Sequence, residues 1–278
     1  MNRPTSDTLQ NILNDIAAAA DYIWQKGWGE RNGGNITVDI TGTAAQEELT
    51  GDNGNTRMEI SLDGLTAIRG RLFYVKGTQC RMRDLARDPM ANGCIIRIND
   101  KGNAYSILTD NGVRPTSELP SHLIVQNYLR QTGSGYTATL HTHPVELVAL
   151  SHIPAFLDNS RLMPLHANRL TKTLWSMIPE TLAFAPLGIG IVPYQVPGSQ
   201  ELAQATLREI LHYDVVLWEK HGTFAVGKDI MDAFDQTDVL NKAAQIYLRA
   251  RLTGEEPAGM SIPQMQEIQA VFRLPKQR

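Results

Sequence analysis

The sequence predicts an α/β fold, a single domain over residues 1–278 with a central, mostly antiparallel sheet flanked by helices. Three observations carry this expectation. Apolar residues recur at helical spacing in 7–26 and again in about 229–253. Between them lie short apolar or alternating runs bounded by glycine, asparagine and proline, interspersed with helical patterns. The run "DVVLWEKHGTFAVG" (214–227) reads as two strands joined by a tight turn at His221-Gly222.

In chain order, the first helix carries Leu9, Ile12, Leu13, Ile16, Ile23 and Trp24 on one face, with Ser6 as N-cap and Gly27 as stop. A Gly/Asn-rich turn in "GWGERNGGNITVDI" leads into a strand. Residues 41–64 read as a flexible insertion. "RLFYVKG", "CIIRIN" and "AYSIL" are three further strands. Ser117–Arg130 is predicted helical, with Pro120 early, where a missing N–H is harmless. Then come the strand Thr137–His143, a helix opened by Pro144, a strand over 188–196, and a helix beginning near Ser199. The last helix is capped by Asp229 and closed by Gly254.

Composition narrows the function. With 42% hydrophobic residues the chain can bury a full core. Its 26 Lys+Arg against 29 Asp+Glu leave a formal charge of −3 without a long block of one sign, which argues against nucleic-acid or membrane-surface partners. A small anionic substrate stays possible, because one pocket can be positive on a mildly acidic protein. Cys80 and Cys94 stand outside any paired motif and read as reduced thiols. The polar N-terminus and the lack of long apolar runs suggest a cytoplasmic protein.

The chemistry is concentrated in a few stretches. In "ATLHTHPVE" a strand would point His141 and His143 to one face. His221, in "EKHGTF", ends another apolar strand. Each feature alone has an ordinary explanation, as stacked or turn histidines. Together the three imidazoles make a tridentate site that suits Zn²⁺ and leaves one coordination position open. The full double positive charge would serve a reaction developing an oxyanion. His122, His152, His166 and His212 default to structural or surface roles.

"PTSELPSH" can be a plain helix start. Equally, it can place Ser117 at an anion bound to the helix N-terminus, with Glu118 beside it as a proton-moving carboxylate. "RNGGNIT" can be a simple turn or a concave nest of N–H groups, and it lacks the GK[ST] ending of a nucleotide-binding loop.

Taken together, "GWGERNGGNIT", "PTSELPSH", "LHTHP", "GIGIVPYQVPGS" and "KHGTFAVG" resemble the class II aldolase/adducin family over about residues 20–250. The "ERNGGN" and "PTSELP" phrases favour its branch acting on L-rhamnulose 1-phosphate over the fuculose and ribulose branches. The resemblance implies a zinc-dependent, reversible cleavage to dihydroxyacetone phosphate and L-lactaldehyde by a homotetramer. It implies that His141, His143 and His221 hold the metal and that Glu118 is the catalytic carboxylate. It further implies phosphate binding by Gly34, Asn35 and Ser117, a substrate-lining role for Asn32, and a carboxylate, Glu180, contributed by a neighbouring subunit. Where the family carries a "TGSGK"-like phosphate loop, this chain reads "VKGTQCR", with Thr78 offering the hydroxyl and Gln79 replacing the second glycine. The alternatives are a related sugar-phosphate aldolase or epimerase, a non-catalytic adducin-like module, or a zinc hydrolase.

Overall fold

A computed structural model describes residues 9–43, 57–60, 64–161, 163 and 165–274. The expected cap Ser6 and most of the 41–64 insertion lie outside them. Helix α1 (Leu9–Gln25) buries Leu13, Ile16 and Ile23 of the expected stripe together with Ala19 and Ala20, while Trp24, expected on that face, is exposed. Gly27, at φ +72°, ends it.

The described residues form one nine-stranded sheet. Its strands are β1 (Asn35–Asp39), β2 (Arg57–Glu59), β3 (Leu72–Lys76), β4 (Gly93–Ile98), β5 (Ala104–Ile107), β6 (Ala138–Thr142), β7 (Ile189–Val192), β8 (Val215–Trp218) and β9 (Gly222–Gly227). Their order is β2-β5-β4-β3-β1-β6-β9-β8-β7. The β7–β8 pair is parallel and the other seven pairings are antiparallel. The exception has a reason: helix α7 (Gln200–Ile210) separates β7 from β8, giving the crossover that parallel neighbours require.

The other helices are α2 (Met82–Leu85), α3 (Leu119–Thr132), α4 (Val145–Leu150), α5 (Arg169–Met177), α6 (Pro179–Phe184), α8 (Ile230–Arg251) and α9 (Ile262–Val271). They cover both sides of the sheet. On one face Ile36, Val38, Leu72, Tyr74, Leu140 and Ala225 pack with α1, α4 and α8. On the other, Phe73, Val75, Phe224 and Val226 meet apolar residues of α3 and α7. Strand alternation puts a polar row on this second face, where Thr37 opposes Thr139 and Asn35 opposes His141. The row runs toward the strand ends that carry the histidines.

Several elements differ from expectation. The strand expected over 188–196 stops at Val192, because Pro193 has no N–H for a ladder. Within the supposed insertion, Arg57–Glu59 is an edge strand paired with β5. Helices α2, α5, α6 and α9 were not anticipated, although α9 opens with a capping box between Ser261 and Gln264 that is legible as "SIPQ". No helix among the described residues is long and apolar enough to cross a membrane.

Candidate active site

The histidines converge through three different local devices. His141 lies inside β6, wholly buried, with its ring 4.4 Å from that of Trp218. The register of β6 on β9 brings its Nδ1 to 2.8 Å from the Thr223 carbonyl, which fixes the N–H on that side and leaves Nε2 as a lone pair. His143 sits one residue beyond the strand, its backbone N–H held by the Trp28 carbonyl at 2.9 Å and its Nδ1 2.6 Å from Glu30 Oε1. His221 closes the turn between β8 and β9, its N–H bonded to the Trp218 carbonyl at 3.1 Å.

The turn is built otherwise than expected. Lys220 takes the left-handed conformation at φ +60°, while Gly222 is already strand, paired with Trp218. Gly222 is needed for space instead. A Cβ there would run into the Thr142 carbonyl and approach His143 Cδ2 and His141 Cε1 to 2.8 and 2.9 Å.

This donor set fits a metal ion. One ring nitrogen from each histidine lies within 4.8 Å of the others, and the Nε2 atoms of His141 and His143 are 3.2 Å apart. Two nitrogens on one tetrahedral zinc would be about 3.3 Å apart, given bonds of about 2.05 Å. Burial pushes His141 well below the usual histidine range and His221 down to about 4, so both imidazoles are neutral, the form that ligates. Their 3.5 and 3.6 Å approaches to Glu118 are therefore not ion pairs.

Glu118 stands at the start of α3. The simple reading of "TSE" as a helix start with a hydroxyl cap gives way here: Glu118 itself occupies the N-cap position without a side-chain cap, and the Thr116 hydroxyl accepts the Glu118 N–H at 3.2 Å. The carboxylate turns into the site, where it accepts a hydrogen bond from Asn35 Nδ2. Burial raises it to about 7, against the opposing pull of the Asn35 hydrogen bond and the Lys76 charge. A carboxyl group at that value can give or take a proton near neutrality.

Segments 32–35, 76–79 and 116–118 wall a cavity of about 190 Å³ that opens on the three histidines. Asn32, Gly34, Asn35, Thr78, Ser117 and Glu118 all line it, so the structure assembles nine of the ten residues picked out from sequence. Gly34 has φ +77°, and a Cβ on it would lie 3.0 Å from the His141 carbonyl. Gln79, in place of the second loop glycine, nevertheless adopts φ +62°. The loop thus holds a left-handed residue at that point, at a cost of roughly 1–2 kcal/mol for a side chain.

Glu180 is not brought in. It lies in the first turn of α6, beside a separate cavity of about 530 Å³ that Asp232, Asp235 and Asp238 of α8 also line. Within one chain it does not meet the histidine site.

Lys76 was missed. The last residue of β3, it is fully buried and lines the cavity, its Nζ donating to the Asn32 carbonyl at 3.1 Å. Burial lowers it to about 8. Glu30, on His143, was missed as well. Its "GWGERNGG" setting marked the turn, but nothing in the sequence linked residue 30 to residue 143.

Comparison with known proteins accords with this geometry. Residues 14–248 match the family model described as the class II aldolase and adducin N-terminal domain. The chain is 52% identical to a rhamnulose-1-phosphate aldolase of Bacteroides thetaiotaomicron, over 99% of this chain and 98% of the relative. It is 32% identical to one of Mannheimia succiniciproducens, over 88% and 90%. Among solved structures, a sugar-phosphate aldolase from Thermotoga maritima superposes with a TM-score of 0.73 at 31% identity, over 90% of this chain and 99% of that one. With this match over most of its length and the site at the strand ends, the chain belongs to the class II aldolase and adducin family.

Proposed function

We propose that the chain, acting as one catalytic unit over 1–278, is a zinc-dependent aldolase that reversibly cleaves L-rhamnulose 1-phosphate to dihydroxyacetone phosphate and L-lactaldehyde. The observation that carries this is the juxtaposition of three convergent histidines, a buried carboxyl group poised near neutrality, and a cation-bearing cavity of about 190 Å³. The rhamnulose-1-phosphate aldolase relatives supply the choice of sugar.

His141, His143 and His221 would hold the metal, which when bound supplies the positive charge for the oxyanion that develops as the bond breaks. Breaking C3–C4 turns the C4 hydroxyl into the aldehyde carbonyl, its proton passing to Glu180 of a neighbouring subunit, and leaves an electron pair that must be protonated at C3. Glu118 gives that proton in cleavage and removes it in synthesis. Asn35 holds the carboxylate in place through its amide, and burial away from water keeps the proton available. The phosphate is received by the Gly34–Asn35 backbone, Thr78, Ser117 and the Lys76 ammonium, which fixes the register of the reacting bond. Asn32 lines the same pocket. Glu180 enters from a neighbouring subunit of a homotetramer, and the enzyme works in the cytoplasm.

A non-catalytic binding module is disfavoured. It would have no use for a buried acid against two neutral imidazoles, an arrangement that burial makes costly. The test is release of dihydroxyacetone phosphate from L-rhamnulose 1-phosphate before and after chelation. Chelator-sensitive cleavage restored by zinc is expected. A folded, zinc-loaded protein that leaves this sugar phosphate intact would overturn the substrate.

A further inference from the structure

The three imidazoles differ in what holds the nitrogen that faces away from the site. His141 has a backbone carbonyl, set by the sheet register. His221 Nδ1 is buried with no hydrogen-bond partner among the described residues. His143 has a side chain, Glu30 Oε1, at 2.6 Å. His143 also lies past the end of β6, where no ladder restrains its ring.

Glu30 belongs to a turn shaped around that ring. Its carbonyl accepts the Gly33 N–H at 2.8 Å, and Arg31 between them takes φ +49°. A Cβ on Gly33 would come within 2.9 Å of His143 Cε1. The turn then continues into Asn32, whose carbonyl receives Lys76 Nζ, and into the glycine and asparagine of the anion cavity.

We infer that Glu30 is a positioning residue for metal binding: it fixes the Nδ1–H form of His143, aims Nε2 at the metal, and ties that ligand to the turn lining the anion cavity. The physical basis is general. A carboxylate accepting the outer N–H of a ligating imidazole sets its tautomer and orientation and raises its basicity. Glu30 is largely exposed, lies outside the cavity lining, and among the three histidines hydrogen-bonds His143, so its positioning contact with the site is made through that ring. The inference rests on the proposed metal site.

The test compares wild type, Glu30→Ala and Glu30→Gln by zinc titration against a competing chromogenic chelator. Urea unfolding of the zinc-free proteins runs alongside. Glu30→Ala is expected to weaken zinc roughly 10- to 100-fold. Glu30→Gln, which keeps an acceptor without the charge, should fall between. The zinc-free urea midpoints should coincide. Zinc affinity of Glu30→Ala within twofold of wild type would overturn the inference, as would a loss matched by lower zinc-free stability, which would make Glu30 merely a turn former. Wild type binding no zinc would overturn the metal site itself, a failure distinct from either.

Discussion

Replacing Lys76 with methionine should make the ligand-free protein more stable and its phosphate binding weaker. Methionine keeps most of the unbranched stem and removes the ammonium. Lys76 is fully buried, has one hydrogen bond among the described residues, and is lowered from 10.5 to about 8, chiefly by burial. A shift of about 2.5 pH units at about 1.4 kcal/mol each corresponds to about 3 kcal/mol of strain from holding the charge. Losing the bond to the Asn32 carbonyl takes back about 1 kcal/mol, leaving a net gain of about 2 kcal/mol near pH 7. The phosphate loses a charged hydrogen bond worth about 1.5–3 kcal/mol, a weakening of roughly 10- to 100-fold. Urea unfolding of the metal-free proteins and calorimetric titration with inorganic phosphate read the two effects. The pH dependence has a definite sign. Between about pH 8 and 10.5 the unfolded chain keeps a proton that folded Lys76 has released. Wild-type stability therefore gains from this group as pH rises through that window, and the advantage of Lys76→Met shrinks there. A variant less stable than wild type at pH 7, or one that binds phosphate as tightly, would refute a buried cation waiting for an anion.

Other outcomes follow from the same geometry. Glu118→Gln should retain zinc and phosphate binding while turnover falls by roughly 10²–10⁴-fold, the range for a lost acid–base group; near-normal turnover would remove Glu118 from the chemistry. In the metal-free protein, folded Glu118 at about 7 holds a proton that the unfolded chain loses near 4.5. This group's contribution to stability thus falls as pH rises from about 4.5 to 7, and the wild type minus Glu118→Gln difference, followed by urea midpoint, should decline over that window. Gly222→Ala should destabilise the fold by about 1–3 kcal/mol through overpacking and lower zinc occupancy, measured by metal analysis, because its methyl group needs the space of two imidazoles. His221→Ala should lose zinc and activity together.

The elements that could be read in advance were those whose signal is local. The stripe of α1, the apolar strands β3, β4 and β6, and the Asp229 cap, which accepts the Asp232 N–H at 2.8 Å, depend on residues a few positions apart. Short α6 carries too few turns to show a period, whereas α5 has one, with Leu170, Leu174 and Trp175 buried on a single face, that was passed over. Arg57–Glu59 becomes a strand through pairing with Arg57↔Ser106, Met58↔Tyr105 and Glu59↔Ala104, partners nearly fifty residues away. Gly222 was assigned to a turn because glycine so often makes one, whereas its reason here is crowding from β6.

By itself the sequence pointed to the α/β class and to the three histidines, through residue type and strand alternation, while Glu118 stood out from a plain helix start only through the family resemblance. Tertiary structure alone decided the environments. Folding of the α3 start against the sheet buried the Glu118 carboxyl beside Asn35 and the histidines. The register of β1 on β6 set Asn35 opposite His141. The end of β3 carried Lys76 under the 32–35 loop, and the turn at residue 30 reached His143, 113 positions along the chain. Burial and through-space distance set proton affinities and ligand geometry, and neither is a property of neighbours in sequence.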